Sequence, residues 1–255
     1  MASAETRDRI INTAARLFAE FGFHGVSLRT IAKEAGIQAS LAQYHFKTKE
    51  LVFRAVFERC ILPINHDRHM KLDAAAERRA QGEDVGLDDI VRAFLEPTVQ
   101  LTRDRNAHIP YYGQLIPQLT NNPQEHARSI SREFTDPIAR QTLMAIRSAV
   151  PDADQATLTW CYLFGVGAMV AAISRTGRAR LLSNGACDPD NAAEITSILV
   201  AFVAGGIRAA IEARSKVTPS PRTRHPRRPT RKGATAAKSR PKRKSKTAGD
   251  AASTS

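Results

Sequence analysis

Cysteine is scarce in this chain: Cys60, Cys161 and Cys187 are the only three in 255 residues. They lie far apart, with no C-x-x-C and no His-interleaved spacing. That excludes a disulfide-stapled scaffold and a structural zinc site, and it points to a reducing compartment with three ordinary thiols. A strand signature is missing as well, since no apolar-polar alternation of strand length stands between turn residues. No secretory leader is readable near the N-terminus, where Glu5 and Asp8 sit among basic residues and no apolar stretch follows. The longest uncharged run, Gln155 to Ser174, has the length of a membrane span but is diluted by Gln, Thr and Gly. A buried or subunit-facing helix is expected there, and no membrane. Catalytic patterns are wanting too. The seven histidines are scattered, no G-x-S-x-G, H-E-x-x-H or P-loop occurs, and most carboxylates fall on expected solvent faces. The chain is therefore not expected to be an enzyme or to hold a metal or cofactor.

Acid is lacking in one place above all. Residues 215 to 255 hold thirteen Lys or Arg and a single acid, Asp250, a net +12 out of the chain's +13 that leaves about +1 for residues 1 to 214. From Thr218 onward there is no large apolar side chain, only Pro, Ser, Thr, Ala, Gly, basic residues and Asp250. Such a segment cannot bury enough surface to fold alone, so a disordered basic tail is expected. Dense like charge reads as sequence-independent attraction to phosphates. A solvated solubility tail and an artefact of gene boundaries are the other readings, and in a eukaryote "PKRKSK" would read as a nuclear address.

What is present is helical periodicity almost throughout, so the fold class expected is all-α. Ile10, Ala14, Leu17, Phe18 and Phe21 line one face of a first helix from about Glu5, ended by "GFHG", whose two glycines tolerate positive φ. Ser27 caps a second helix with Leu28, Ile31, Ala32 and Ala35 turned inward. A long helix begins near Thr48, and Pro63 is expected to kink or interrupt it. Further helices are expected at about 87 to 105, 108 to 119, 122 to 149, 154 to 176 and 189 to 214, separated by "QGEDVG", "NNP", "VPDAD" and "SNGACDPDN".

Between the second and the long helix, "IAKEAGIQASLAQYHFKTKEL" breaks at Gly36 and restarts at once. Two short helices around a glycine turn form a helix-turn-helix, and the second, about Gln38 to His45, is studded with polar and aromatic groups instead of core residues. A helix entering the major groove needs such groups. Gln38 and Gln43 have the geometry to pair with base edges, and Ala39 or Ala42 to touch a thymine methyl. Ser40, Tyr44 and His45 suit phosphate oxygens, Lys49 sits where charge and a helix start both favour a phosphate, and Ser27, Arg29 and Thr30 are placed to grip the flanking backbone. The same shape also occurs in helical proteins that bind no DNA, and there Tyr44 and Phe46 would be core.

Three patterns stand in register over roughly residues 7 to 53: A-x-x-L-F-x-x-x-G at Ala14 to Gly22, S-x-R-x-I-A-x-x-A-G at Ser27 to Gly36, and Y-H-F-x-x-K-x-L at Tyr44 to Leu51. This segment resembles the DNA-binding domain of the TetR family of bacterial transcriptional regulators. It departs from the commonest pattern, Leu-Tyr before Tyr-His-Phe, by having Ala42 and Gln43, so an operator preference cannot be borrowed. The resemblance implies a homodimer, with a helix-turn-helix head at 1 to 50, a helical effector-binding and dimerisation domain at 51 to 214, and the tail at 215 to 255. It implies dimerisation through the last two helices, where Gly165, Gly167 and Ala168 fit close packing against a partner chain.

The resemblance also implies a small-molecule pocket between the helices from about 87 to 174, with His108, Tyr111, Tyr112, Phe134, Trp160 and Phe164 as candidates, although aromatic residues at helical spacing are usually core packing and each reads first as that. "TRDRNAHIPYYGQLIPQL" resembles the C-terminal type of fatty-acid or acyl-thioester responsive members, which implies a lipophilic effector. The expectation is a cytoplasmic, ligand-responsive repressor of double-stranded DNA, released from a palindromic operator by its effector. Two other classes stay open: an architectural DNA-compacting protein dominated by the tail, and a helical enzyme or lipid carrier that kept the head.

Overall fold

The computed structural model describes residues 2–103, 111–120 and 122–216. Among these residues every regular element is helical: α1 (Ala2–Phe21), α2 (Leu28–Glu34), α3 (Ala39–His45), α4 (Lys49–Ala80), α5 (Leu87–Leu101), α6 (Tyr112–Thr120), α7 (Glu125–Ile130), α8 (Asp136–Ala149), α9 (Gln155–Ile173), α10 (Arg178–Leu182) and α11 (Ala192–Lys216). A single π-helical turn, Ser131–Thr135, joins α7 to α8.

The N-terminal helices form because their apolar positions recur once per turn and converge. Ile10, Ala14, Leu17 and Phe18 of α1 meet Ile31 and Ala32 of α2, Ala42 of α3, and Val52 and Phe53 of α4, all buried. Phe18, Phe23, Phe53 and Phe57 pack edge-on or tilted, with ring centroids 4.8 to 5.9 Å apart, the separations their quadrupoles favour. Phe21, expected on this inner face, is instead exposed at the end of α1. Ser27 caps α2 by accepting from the Thr30 amide at 3.0 Å, and Thr48 caps α4 by accepting from the Leu51 amide at 3.3 Å.

The two glycines of "GFHG" serve different purposes. Gly22 has φ +70°, whereas Gly25 lacks a side chain because a Cβ there would overlap the Phe21 carbonyl oxygen.

Pro63 neither ends nor splits α4, which runs unbroken for 32 residues. The proline is exposed, so the carbonyl it leaves without a helical donor faces water and is not orphaned in the core. The helix expected at 122 to 149 is present as α7, the π turn and α8. Asn65 of α4 donates to the Phe134 carbonyl in that turn at 2.6 Å. The short α10 was not expected.

α9 and α11 pack closely: a Cβ on Gly165 would lie 3.2 Å from Val203 Cγ1. Gly165 therefore serves packing within the chain, while Gly167 looks onto open space. Both helices have the length and hydropathy of membrane spans, with 22% and 33% of their most apolar windows buried.

Candidate nucleic-acid interface

The turn between α2 and α3 explains how a seven-residue helix is held away from the core. Gly36 adopts φ +65°; its amide donates to the Lys33 carbonyl at 3.1 Å, and the Ile37 amide donates to the Ala32 carbonyl at 3.0 Å. This is the paired bonding of a Schellman stop, with glycine at the left-handed position and half-buried Ile37 packed on the core behind it. α3 then sends one side chain inward, Ala42, and is closed at its far end by the Phe46 amide donating to the Ala42 carbonyl at 2.8 Å. Phe46 is buried, with the Arg7 guanidinium 5.3 Å from its ring centre.

The rest of α3 is exposed except for His45. Gln38, Ala39, Ser40 and Gln43 are exposed, Tyr44 is 79% exposed, and His45 is half-buried with its ring edge-on to Tyr44. The pairs Ala39/Gln43 and Ser40/Tyr44, four residues apart, stack on one side of the helix. Gln38 makes no capping hydrogen bond, so its amide group is not used in holding the helix. From α2, the exposed Ser27, Arg29 and Thr30 join Lys33 and Ala39 along a groove of about 620 Å³ between the two helices. The Ser27 and Thr30 hydroxyls are 2.7 Å apart. Arg16 of α1 pairs with Glu34 at 3.2 Å, and Glu34 lines the same groove.

Lys49 is turned elsewhere. Its ammonium donates to the Phe23 carbonyl at 2.8 Å and lies 4.2 Å from the centre of the Phe23 ring, so the cation is held within the fold. The exposed Lys33 and Lys47, which sequence reasoning did not single out, carry charge nearer the outward face. Lysine next to a capping threonine offered no signal to separate the two roles.

Behind this face is a joint that the sequence did not disclose. Gln118 of α6 donates through Nε2 to the Phe18 carbonyl at 2.7 Å and accepts through Oε1 from the Phe23 amide at 3.1 Å, so one side chain grips the end of α1 from both sides. His126 of α7 stacks on Phe23 with centroids 4.3 Å apart, and its Nε2 is buried without a hydrogen-bond partner. Burial lowers the His126 pKa, the Glu50 carboxylate opposing and His24 and Lys49 adding to the shift. Arg54 of α4 pairs with Glu133 of the π turn.

The residues expected around an effector are not gathered in one place. Tyr112 is buried, Tyr111 and Phe134 are half-buried, and His108 lies outside the described residues. Trp160 and Phe164 are 60% and 67% exposed, stacked 5.8 Å apart on the outer face of α9. With Phe202 of α11 they line a groove of about 750 Å³ whose remaining lining is largely apolar. They stand apart from Tyr111, Tyr112 and Phe134 because α9 is apolar on all sides and these aromatic positions, four apart, fall on the side away from the core.

Comparison with known proteins decides what kind of molecule this is. The family profile described as bacterial regulatory proteins of the tetR family matches residues 10–56, and the one described as a tetracyclin repressor-like C-terminal domain matches residues 92–206. The chain belongs to the TetR family of bacterial transcriptional regulators.

Among curated TetR-family relatives, the negative transcriptional regulator IcaR of the Staphylococcus epidermidis icaADBC biofilm operon is 34% identical over 73 residues, 26% of this chain and 40% of that protein. UidR of Escherichia coli K12 is 39% identical over 51 residues, 20% and 26% of the two chains. AcrR of Shigella flexneri is 31% identical over 102 residues, 40% and 45%. The chain thus spans less than half the length of each of these three. Solved structures match more widely at lower identity. The fatty acid degradation regulator FadR of Bacillus halodurans aligns with TM-score 0.50 at 15% identity over 80% of this chain and 96% of its own. A TetR-family regulator of Bordetella parapertussis aligns with TM-score 0.50 at 17% identity over 77% and 93%. These likenesses establish a shared fold: an N-terminal helix-turn-helix followed by a helical C-terminal region.

Proposed function

We propose that this TetR-family chain is a cytoplasmic, ligand-responsive repressor that binds a palindromic operator as a homodimer and leaves it when a small lipophilic effector binds. The observation that carries the reading is α3, where one side chain of seven enters the core and Gln38, Ala39, Ser40, Gln43 and Tyr44 are left exposed. In this reading Gln38 and Gln43 meet base edges and Ala39 a thymine methyl. Ser40, Tyr44 and His45 contact phosphates, Ser27, Arg29 and Thr30 hold the adjacent backbone, and Lys33 and Lys47 add attraction. Lys49 positions Phe23 and meets no phosphate.

Dimerisation is supported by the exposed aromatic groove of α9 and α11. Burying a side chain such as Trp160, Phe164 or Phe202 is worth about 1.5 to 3 kcal/mol each, and an apolar face of that size needs a cover. A second copy supplies an identical one, and two heads about 34 to 36 Å apart would match successive major grooves. The head, residues 1 to 50, and the effector and dimerisation region, 51 to 214, communicate through Gln118 and Phe23. An effector that shifts α6 carries the end of α1 with it, provided it binds the released state more tightly. The basic tail, 215 to 255, adds non-specific attraction to DNA. That charge also favours the second reading, an architectural protein whose tail dominates.

The test is binding of the full chain, and of a chain ending at Val217, to the promoter beside its own gene and to random duplex across a salt series. The expected result is promoter preference in both forms, with a shallower salt slope after truncation. Equal affinity for both duplexes would move the architectural reading ahead.

A further inference from the structure

Arg68 projects from the middle of α4 into the interior between α5, α6 and α9 and is 3% exposed. Among the described residues no carboxylate pairs with it. Its Nε donates to the Phe94 carbonyl at 2.9 Å, Nη1 to Asn65 Oδ1 at 3.3 Å, and Nη2 to Thr98 Oγ1 at 2.6 Å and the Met169 sulfur at 3.3 Å. The Phe94 ring lies 4.4 Å below the guanidinium. Every partner is neutral. Buried charges are ordinarily paired, and an arginine, unlike a lysine or histidine, does not shed its proton to escape the cost. A full positive charge therefore stands in the interior with only dipoles and a ring face around it.

We infer that Arg68 is the receptor for an anionic group on the effector, and that the effector is an organic monocarboxylate with an apolar body. The inference rests on the ligand-responsive reading above and names the chemistry of its ligand. One guanidinium matches one negative charge, whereas a phosphate dianion would leave a buried excess. The planar fork of Nη1 and Nη2 matches a planar carboxylate. The surroundings are aromatic and largely apolar: Phe94, Tyr162 and Tyr112 flank the guanidinium, with the Phe94 and Tyr162 rings 5.3 Å apart. Burial raises the pKa of both phenols, Tyr162 to about 12, so they stay neutral donors able to complete the coordination of a carboxylate. Asn65, Thr98 and Met169 occupy the fork. The unbranched Met169 is the partner most easily rotated away to free Nη2.

The test uses the full chain and three probes, sodium octanoate, laurate and phenylacetate, each against its neutral alcohol, read by thermal unfolding and calorimetric titration. At saturating probe at least one carboxylate is expected to raise Tm by about 5 °C or more while its alcohol gives less than half of that. Arg68→Met, similar in length and uncharged, should abolish the difference between acid and alcohol. Arg68→Lys, which keeps the charge and loses the fork, should retain part of it, and this variant carries the test if Arg68→Met does not fold. No carboxylate outdoing its alcohol on the wild-type chain, or an undiminished preference in either variant, would overturn the assignment. The two readings fail separately. Promoter release by a neutral compound without any carboxylate response removes Arg68 alone, and a carboxylate response in a chain that ignores its promoter removes the repressor alone.

Discussion

Replacing Gln118 by Leu keeps the volume of the side chain and removes both of its hydrogen bonds to the end of α1. The Phe18 carbonyl keeps another donor, the Gly22 amide at 3.0 Å, so its loss is small. The Phe23 amide is different, because Gln118 Oε1 at 3.1 Å is the partner that the fold supplies, and the site is partly buried beneath the Phe23 ring. One net hydrogen bond costs about 1 kcal/mol and an unsatisfied buried donor about 1 to 3 kcal/mol. A total of about 2 kcal/mol corresponds to a Tm lowered by roughly 4 to 8 °C in a unit of this size. Gln118 touches no DNA-facing residue, so promoter affinity measured by fluorescence anisotropy should stay within about threefold of wild type, while release by effector should weaken by about tenfold, the scale of a typical coupling energy. Wild-type Tm together with wild-type release would refute the idea that this side chain joins head to body. Lost promoter binding at unchanged release would place the joint elsewhere.

Gly113→Ala puts a methyl against the Ile173 carbonyl oxygen where α6 crosses α9, and overpacking there should cost about 1 to 3 kcal/mol, read as a lower denaturant midpoint at unchanged slope. Phe164→Arg should convert a dimer into a monomer by light scattering at micromolar concentration without lowering helix content; a dimer that persists would mean the α9 and α11 groove is not the contact. His126 supplies a pH prediction. Burial holds its folded pKa below the ordinary 6.5, so its contribution is complete above the unfolded value and is lost as pH falls through the folded one. Wild type should therefore lose stability on the acid side of pH 6.5 more steeply than His126→Phe, and parallel profiles would show that the imidazole stays neutral or is compensated when charged.

The head was legible because its signals are local. Gly36 stands where a left-handed residue must end α2, Ser27 and Thr48 stand where hydroxyls cap, and the single Ala42 among polar neighbours marks a helix with little to bury. Signals that depend on partners far along the chain were not legible. Gln118 meets residues 95 and 100 positions away, and Lys49 meets Phe23 with α2 and α3 lying between them in the chain, a pairing that no periodicity gives. The exposure of Trp160 and Phe164 was not legible because a helix apolar on every side does not announce which side faces its own core. The π turn at Ser131–Thr135 also escaped, since no Gly or Pro within it interrupts the helical run that leads from α7 into α8.

The solitary anchor of α3 separates two properties that most buried helices tie together. With only Ala42 engaged beneath it and the Gly36 turn holding its entry, substitutions at Gln38, Ser40, Gln43 or Tyr44 carry almost no folding penalty, within about 0.5 kcal/mol for exposed positions. If α3 reads DNA as proposed, operator preference could change by single substitutions there with the fold left intact at every step.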